Sequence, residues 1–330
     1  MPTVVRSFGK VNIGLLIGSP RSDGFHDLRT CYHTIALHDI IRVERSRGTG
    51  IEIRAKGIKG GAVPDEVTAE WARKVPCDES NTCYRIAERL IRRVREHFKL
   101  TISIEKGLPV QGGVAAASSN GVATLLAAER ELRHELDPEE RYAICAEVGS
   151  DLPQFLIGGL SFGTGRGEQV IPMPDIDPIP CVLVAPRVGV STAQAFEDWD
   201  TLNRQNGGGG RLTDASASSK LEVFSHSLYR WLGNIHTGVS PAGGNRAEAP
   251  LLDLVRAGIV NDFERVVFPL HPELREIKRA LERAGAVFAS LSGSGSTLFG
   301  LFESAESADQ AVVQFAKDER RAYATRTLSR

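Results

Sequence analysis

The segment PVQGGVAAASSN, which runs from Pro109 to Asn120, gives the strongest indication of the fold. It joins small side chains to an Ala/Leu-rich segment that predicts a helix from about Ser119 to Leu132. Small side chains let backbone N–H groups approach an oxyanion, and the first turn of a helix adds unpaired N–H groups and the positive end of its dipole. The stretch therefore predicts a polyphosphate-binding loop, with a tight loop into a well-packed helix as the alternative.

The segments on either side of this loop have clear secondary-structure signals. Leu100–Ile104 reads as a strand, so that strand, loop and helix follow in order. Neither G-x-x-x-x-G-K-[ST] nor G-x-G-x-x-G occurs in the loop, which excludes a Walker A loop and a dinucleotide fold. Further on, Asp137-Pro138-Glu139-Glu140 predicts the start of a helix that ends at Gly149, and Asp151 lies just beyond that end.

The N-terminal part of the chain predicts a strand and a turn. Alternation from Thr3 to Ile17 indicates a strand on which Lys10 and Asn12 share one face. Asp23-Gly24 predicts a turn, because Gly tolerates positive φ and Asp bonds its own backbone. Helical spacing at Cys83–Phe98 predicts an amphipathic helix, and the arginines on its other face are typical of a solvated charged surface, with an anionic ligand as the alternative.

The second half of the chain has the pattern of another α+β unit. The proline-rich linker Ile171–Pro180 precedes a strand-like run, Cys181–Ala185. Helical spacing at Pro272–Ala284 leads into two strand-like segments that flank the loop Ser-Gly-Ser-Gly-Ser. The glycine-rich stretch Asn203–Gly210 predicts a flexible surface loop.

Length and composition limit the class of protein. A chain of 330 residues suits two cores, and we expect domains at 1–175 and 176–330. Hydrophobic residues at 42%, charged residues at 25% and a net charge of -1 describe an ordinary globular protein and exclude a nucleic-acid-coating one. The five cysteines form no C-x-x-C pair, so we expect buried free thiols in a reducing cytoplasm. We see no signal-peptide segment or membrane-length apolar run, and we expect a cytoplasmic protein without nucleic-acid or membrane partners.

Three stretches, taken in order along the chain, resemble the GHMP kinase superfamily: Phe8–Ile13, the Pro109–Asn120 loop and Leu291–Ser296. The resemblance implies an α+β chain with a two-domain GHMP kinase-like fold, in which an N-terminal ribosomal-protein-S5-domain-2-like α/β domain binds ATP. The C-terminal domain would be a ferredoxin-like α+β domain on the substrate side. The implied activity is that of an ATP-dependent kinase for a small molecule.

Three further segments narrow the resemblance: Ser22–Leu28 (SDGFHDL), Gly149–Phe155 (GSDLPQF) and Gly189–Thr192 (GVST). They resemble the branch of the superfamily that phosphorylates the 2-hydroxyl of 4-diphosphocytidyl-2-C-methyl-D-erythritol in non-mevalonate isoprenoid biosynthesis. ATP and Mg²⁺ are implied, and no metal-ligating residue is predicted, since Mg²⁺ usually bridges phosphates with few protein ligands. A monomer or loose homodimer would suit the family.

The resemblance gives catalytic roles to Lys10 and Asp151. Asp151 would accept the proton of the substrate hydroxyl, while Lys10 would hold Asp151 ionised and steady the transferring charge. Whether Asp151 is a true base or chiefly an orienting group stays open. Taken singly, Asp151 also reads as a helix N-cap and Lys10 as a surface lysine with a buried stem.

The resemblance also implies residues that bind the substrate and residues that bind ATP. Phe25 and Phe196 would sandwich the cytosine base, His26 would hydrogen-bond it, and Asn12 and Thr192 would contact the methylerythritol phosphate portion. A lone Phe or His is otherwise more often a core residue. The residues assigned to ATP are Pro109, Val110, Gln111, Gly112, Gly113, Val114, Ala115, Ala116, Ala117, Ser118, Ser119, Asn120, Asn81, Lys106, Gly293, Ser294 and Gly295.

The chain departs from the family in the phosphate loop, where the usual form is G-L-G-G-G-S-S. Ala115, Ala116 and Ala117 replace glycines, and any of them that needs positive φ costs on the order of 1 kcal/mol in backbone strain. A catalytically weakened nucleotide-binding relative and another GHMP small-molecule kinase are therefore kept as alternatives. Phe25 also stands where tyrosine is usual, which keeps the ring and removes one hydroxyl.

Overall fold

The computed structural model describes residues 1–94, 98–206, 221–223, 225–226, 259–318 and 320–330. Internal contacts divide the chain into two compact units. The first unit comprises residues 1–10 and 34–158, and the second comprises 11–33 and 159–330. Two long paired strands, β1 (Thr3–Pro20) and β2 (His26–Ser46), contribute residues to both. This partition differs from domains at 1–175 and 176–330, which stay a prediction.

The first unit is built on strands β3 (Gly50–Gly57) and β4 (Lys99–Lys106) and the second half of β2. Strand β4 runs antiparallel to β2, with Ile41 opposite Ile104, and parallel to β3. The helices are α1 (Asp65–Arg73), α2 (Thr82–Val94), α3 (Ala116–Leu132), α4 (Pro138–Val148) and α5 (Gln154–Ile157).

The core of the first unit follows from strand alternation. Leu100, Ile102 and Ile104 of β4 are buried, while the residues between them are partly exposed. Because successive side chains of a strand point to opposite faces, one face of β4 is apolar. It packs in one cluster with Ile86 of α2 and Leu125 of α3. The predicted strand Leu100–Ile104 is confirmed.

Two predicted helix boundaries were wrong in the first unit. The helix predicted over Cys83–Phe98 ends at Val94 among the described residues, and Phe98 instead precedes β4 as a buried residue. Its apolar ring fits the helical spacing by coincidence, since it enters the core from the segment that leads into the sheet. Helix α3 begins at Ala116, three residues before the predicted start at Ser119.

The second unit contains an antiparallel sheet of four strands in the order β10-β7-β9-β8. These strands are β7 (Pro180–Val184), β8 (Phe288–Leu291), β9 (Leu298–Leu301) and β10 (Ala322–Arg326). A smaller antiparallel pair, β5 (Leu160–Thr164) and β6 (Gln169–Pro172), joins the first half of β2. Helices in the described part of this unit are α6 (Thr192–Asn206), α7 (Glu264–Leu270), α8 (Pro272–Arg283) and α9 (Ala305–Lys317).

The order of elements around the four-stranded sheet is that of a ferredoxin-like domain. Strand β7 is followed along the chain by α6 and α7 and then by α8, β8, β9, α9 and β10. With α6 and α7 set aside, the described order is β-α-β-β-α-β. Helix α8 packs on β8 and β9, and α9 packs on β7 and β10. Buried Val182, Leu281 and Leu298 belong to the cluster between these layers. The predicted ferredoxin-like C-terminal domain is confirmed.

Two further expectations need correction. Asn203–Gly210 was predicted to be a surface loop, but α6 continues through Asn206, and residues 207–210 lie outside the described part. Buried Ala195 and Trp199 fix this helix against the core, which outweighs the loop-like composition of its end. Cys77 is exposed, whereas the other four cysteines are buried.

No helix among the described residues is long and apolar enough to cross a membrane.

The N-terminus of α4 is capped as its sequence predicts. The Asp137 carboxylate accepts a hydrogen bond of 2.8 Å from the Glu140 N–H, Pro138 occupies the first turn, and the Gly149 N–H bonds the Cys145 carbonyl. The cap satisfies one of the N–H groups that a helix start leaves without a partner.

Asp137→Ala is expected to lower the free energy of unfolding by about 1 kcal/mol, because the Glu140 N–H loses its acceptor. Urea unfolding followed by circular dichroism measures the change. Asp137→Asn is the matched control, since Asn is an equally good N-cap, and it should stay close to the parent chain. Equal stability of the Ala variant and the parent would show that this cap contributes nothing.

Candidate active site

Lys10 ties strand β1 to the phosphate loop, which we define as Pro109–Ala115. Its backbone N–H donates to the Val114 carbonyl at 3.1 Å, and its side-chain Nζ donates to the Gly113 carbonyl at 3.0 Å. The same Nζ lies 3.8 Å from Oδ2 of Asp151. Lys10 is only 2% exposed, which rules out the surface-lysine alternative. Lys10, the loop and Asp151 are therefore together, as the sequence predicted.

Asp151 follows the Gly149 end of α4 and precedes α5. Its side chain is 40% exposed, so the carboxylate faces solvent on one side and the Lys10 amine on the other. The N-cap of α5 is Pro153, so Asp151 does not cap that helix. A carboxylate fixed beside a buried amine and open to solvent can reach an incoming hydroxyl.

Burial lowers the pKa of the Lys10 amine, because an ammonium loses hydration in the interior. The Asp151 carboxylate, 3.8 Å away, opposes this effect through its charge. The pKa of Lys10 still lies below its usual value, because the effect of burial is the larger of the two. The carboxylate partner therefore favours the charged form of this amine.

The phosphate loop contains three residues with positive φ: Gln111 at 55°, Gly113 at 78° and Ala115 at 53°. Helix α3 begins directly after it, and its N-cap residue, Ala115, makes no side-chain hydrogen bond to the first turn. The first N–H groups of a helix have no intrahelical acceptor, and they are a favourable site for an anion. This geometry is the one expected of a phosphate-binding loop.

Of the three alanines that replace glycine in the family pattern, Ala115 alone needs a glycine-like backbone. It lies in the left-handed region at φ 53° and ψ 36°, whereas Ala116 and Ala117 belong to the first turn of α3. The strain expected from the sequence therefore applies at one position of the three.

Several residues assigned to ATP make their polar contacts inside the first unit. Asn81 lies just before α2, where its Oδ1 accepts from the Cys83 N–H at 2.8 Å and its Nδ2 donates to the Pro76 carbonyl. The hydroxyl of Ser7 donates to Oδ1 of Asn120 at 2.7 Å, and its oxygen lies 2.7 Å from the hydroxyl oxygen of Ser119. A contact of these residues with a nucleotide stays a prediction.

Asp39 is a residue that the sequence reasoning missed. It is fully buried on β2 and accepts hydrogen bonds from the Lys106 ammonium, the Gly107 and Leu108 N–H groups and the Asn120 amide. Lys106, which the family pattern places in the nucleotide pocket, is thus a buried ion-pair partner of Asp39. The signal was present in the sequence, since a charged residue interrupts the apolar positions Ile35, Leu37, Ile41 and Val43, which alternate along β2.

The residues assigned to the cytosine base lie in the second unit and contact protein groups. Phe196 stacks on the ring of His26, with centroids 5.2 Å apart and an interplanar angle of 11°. His26 also lies 2.9 Å from Oδ1 of Asp200, which the sequence reasoning did not single out. Phe25 is exposed, and the guanidinium of Arg166 lies 4.7 Å from its ring centroid. The base sandwich between Phe25 and Phe196 stays a prediction.

Asn12, Thr192 and the third stretch also have defined surroundings in the second unit. The buried Asn12 amide donates to Oγ1 of Thr30 at 2.7 Å. Oγ1 of Thr192 lies 2.8 Å from Oγ of Ser294, which joins a predicted substrate residue to a predicted ATP residue. The flanking Gly293 and Gly295 both have positive φ. The Asn261 amide, also missed from the sequence, donates to the Leu291 and Gly293 carbonyls at 2.8 Å and anchors this loop.

Comparisons with known families agree with this geometry. The model of the GHMP kinases N terminal domain matches residues 81–159, and that of the GHMP kinases C terminal matches residues 247–320. The first match covers the phosphate loop and Asp151, and the second covers the Ser-Gly-Ser-Gly-Ser loop. The two units thus carry the two halves of a GHMP kinase.

Relatives narrow the class further. The chain is 33% identical over 316 residues to the 4-diphosphocytidyl-2-C-methyl-D-erythritol kinase of Nocardia farcinica, covering 96% of this chain and 90% of that one. It is also 33% identical over 314 residues to the kinase of the same name from Solibacter usitatus, covering 95% and 85%. The chain belongs to the 4-diphosphocytidyl-2-C-methyl-D-erythritol kinase family.

Solved structures show the same fold. A crystal structure titled 4-(cytidine 5'-diphospho)-2C-methyl-D-erythritol kinase matches with a TM-score of 0.69 and 25% identity, covering 98% of each chain. A homoserine kinase from Cytophaga hutchinsonii matches with a TM-score of 0.63 at 17% identity, covering 98% of this chain and 95% of that one, and supports the fold alone.

Ala115→Gly is expected to raise the free energy of unfolding by up to about 1 kcal/mol, because glycine adopts positive φ without strain. Part of the relieved strain is offset, since glycine also makes the unfolded chain more flexible. Ala117→Gly makes the same chemical change in the first turn of α3 and should lower stability by roughly 0.5–1 kcal/mol. Urea unfolding of the pair measures both. A loss of stability in both variants would contradict a strained Ala115.

Proposed function

We propose that this chain transfers the γ-phosphoryl group of ATP to the 2-hydroxyl of 4-diphosphocytidyl-2-C-methyl-D-erythritol, which gives the 2-phosphate and ADP. The observation that carries the proposal is the Lys10 side chain, which bonds the phosphate loop at Gly113 and lies beside Asp151. The family supplies the substrate class, since its members are named for this kinase. The proposed setting is the cytoplasm, in non-mevalonate isoprenoid biosynthesis.

In this reaction the loop and the start of α3 bind the phosphates of ATP. Phosphoryl transfer needs mostly positioning and stabilisation of charge, and oriented N–H groups supply both without reorganisation. The loop backbone is fixed by Lys10 at two successive carbonyls, those of Gly113 and Val114. The phosphates would therefore meet a site that is formed before they bind.

Asp151 receives or orients the proton of the attacking hydroxyl. Its carboxylate is accessible, and the adjacent ammonium of Lys10 offsets its charge. Lys10 in turn stabilises negative charge that develops on the transferring group. Burial lowers the pKa of Lys10, and the charge of Asp151 opposes this effect, so the carboxylate favours the charged form of the amine.

Mg²⁺ is proposed as the companion of ATP and would neutralise charge on the β- and γ-phosphates. The described residues contain no group of three or more His, Cys, Asp or Glu side chains that could hold a metal ion. Mg²⁺ at nucleotides is usually held chiefly by phosphates and water.

A second candidate is a nucleotide-binding relative with weakened turnover, and the left-handed Ala115 favours it. Strain at this position would reduce the fit of the loop to phosphates. Lys10 and Asp151 argue for retained chemistry, since both groups are present and correctly paired. Calorimetric titration with ATP, combined with a turnover assay, separates a binding protein from an enzyme.

Purified protein is expected to form ADP with 4-diphosphocytidyl-2-C-methyl-D-erythritol and Mg²⁺ in a coupled assay. Mevalonate and homoserine serve as matched acceptors of other GHMP kinases and should give only the background rate. Phosphorylation of either of them, with none of the diphosphocytidyl substrate, would replace this proposal with another small-molecule kinase.

Asp151→Asn is expected to lower kcat by about 10²-fold or more while KM changes by less than about threefold, since proton handling is lost and binding shape is kept. Steady-state kinetics measures the two constants separately. Asp137→Asn removes an equal charge from the same unit at a helix cap and should leave both constants unchanged. An unaltered kcat in the Asp151 variant would remove this carboxylate from the mechanism.

A further inference from the structure

Asp39 stands out among the buried charges because none of the catalytic roles above uses it. It lies on the inward face of β2 and is fully buried. One oxygen, Oδ1, accepts from the Gly107 N–H at 2.7 Å and the Leu108 N–H at 2.8 Å. The other, Oδ2, accepts from the Asn120 amide at 2.8 Å and from the Lys106 ammonium. Every direction around the carboxylate is therefore occupied by a donor.

The positions of these donors relative to the phosphate loop are informative. Gly107 and Leu108 immediately precede the loop, and Asn120 lies in the first turns of α3, which follows it. One carboxylate thus holds the chain where it enters the loop and where it leaves. The two ends of the loop are therefore held by a single side chain.

The residues around Asp39 allow its carboxylate to make these hydrogen bonds. A Cβ atom at Gly107 would lie 2.4 Å from the His38 carbonyl, so only glycine lets the backbone approach β2 closely enough. A carboxylate is the side chain that can accept four hydrogen bonds without offering a proton in return. The ammonium of Lys106 is its buried counter-ion, which a fully desolvated carboxylate requires.

The loop needs such an anchor because its backbone is unfavourable by itself. Gln111 and Ala115 adopt left-handed φ values that side-chain-bearing residues rarely hold. Such conformations persist only where the surrounding structure fixes them. Lys10 fixes the middle of the loop through Gly113 and Val114, and Asp39 fixes its two ends.

We propose that Asp39 is a positioning residue that holds both ends of the phosphate loop in the ATP-binding conformation, and that Lys106 serves as its counter-ion and does not bind the nucleotide. The part that concerns ATP rests on the function proposed above. The part that concerns the loop does not, since it can be measured in the protein without nucleotide.

The experiment compares six forms of the full chain: the parent, Asp39→Asn, Asn120→Ala, the exchange Asp39→Asn with Asn120→Asp, Lys106→Met, and Glu129→Gln. The exchange swaps a carboxylate and an amide between two side chains that already touch, so it restores the hydrogen bond between positions 39 and 120. It still leaves the Lys106 ammonium without its carboxylate acceptor at position 39. Asn120→Ala releases one end of the loop and leaves the Asp39–Lys106 pair intact, which keeps the test valid if Asp39→Asn does not fold.

Glu129→Gln is the matched control for loss of a buried carboxylate. Glu129 is buried in the same unit and accepts hydrogen bonds from the Leu136 N–H and the Arg141 guanidinium, so its partners resemble those of Asp39. It lies near the C-terminal end of α3, whereas the loop precedes the N-terminal end of that helix. A general loss of stability should appear in this variant as well. An effect confined to the loop should not.

Two readouts decide the proposal. Hydrogen exchange of loop peptides, measured without nucleotide, should be about tenfold faster in Asp39→Asn and Asn120→Ala, and the dissociation constant of ATP should rise by about tenfold or more, as expected when a charge-assisted hydrogen bond is lost. The exchange variant should return both values part of the way from those of Asp39→Asn to those of the parent, because the bond between positions 39 and 120 is restored and the ion pair with Lys106 is not. Glu129→Gln should leave both values unchanged.

Unchanged loop exchange in Asn120→Ala and in every folded Asp39 variant would overturn the proposal, and so would an equal loss of loop protection in Glu129→Gln. Faster loop exchange with an unchanged dissociation constant of ATP would overturn the link between this anchor and nucleotide binding. If the parent chain binds no ATP, the proposed function fails, while the exchange data still decide whether Asp39 holds the loop. Loss of ATP binding in Lys106→Met, with loop exchange unchanged, would show that Lys106 contacts the nucleotide directly.

Discussion

The candidate site depends on the contacts that the buried Lys10 amine makes with a loop carbonyl and with the Asp151 carboxylate. Removing an ammonium from water costs several kcal/mol unless its environment compensates. Here one loop carbonyl and one carboxylate share that task, and the backbone of the same residue bonds the next loop carbonyl. A single strand residue therefore sets the distance between the phosphate loop and Asp151. Any shift of β1 would move the amine, the loop and the charge balance of the carboxylate together.

Lys10 and Lys106 of the first unit are both buried, each is paired with an aspartate, and the surroundings of the two aspartates separate their roles. Asp39 is fully buried and surrounded by four donors, so no lone pair remains for a substrate. Asp151 is paired with Lys10 at 3.8 Å and is 40% exposed. A carboxylate that must exchange a proton has to be reachable, whereas one that must hold backbone in place is better enclosed. The same pair of residue types thus serves chemistry in one place and architecture in the other.

Sequence reasoning succeeded where the determining interactions are local. The cap at Asp137, the stop at Gly149 and the alternation of Leu100, Ile102 and Ile104 involve neighbours a few residues apart, and all three were predicted correctly. The place of Phe98 in the core ahead of β4 and the extension of α6 to Asn206 involve packing, and both were missed.

The site shows the same division. Lys10, Asp151 and the phosphate loop were found through motifs, and the structure brings them together. Asp39 and its partners are separated by 67 to 81 positions in the chain, and Asp200 lies 174 positions from His26. No local pattern reports such pairings. The charged residue among apolar strand positions was the available signal for Asp39, and it marks burial without naming the partners.

The alanine at position 115 shows why a departure from a family pattern has to be weighed in both the folded and the unfolded chain. In the folded chain its left-handed backbone costs roughly 1–2 kcal/mol, but in the unfolded chain alanine is less flexible than glycine, which returns about 0.4–1 kcal/mol. The net penalty is therefore small enough to be absorbed by the contacts at Gly113, Val114 and the Asp39 anchor. A loop fixed at both ends and in its middle has little need of glycine, because its conformation is imposed from outside. The alanine is thus compatible with a loop that binds phosphate by a preset geometry.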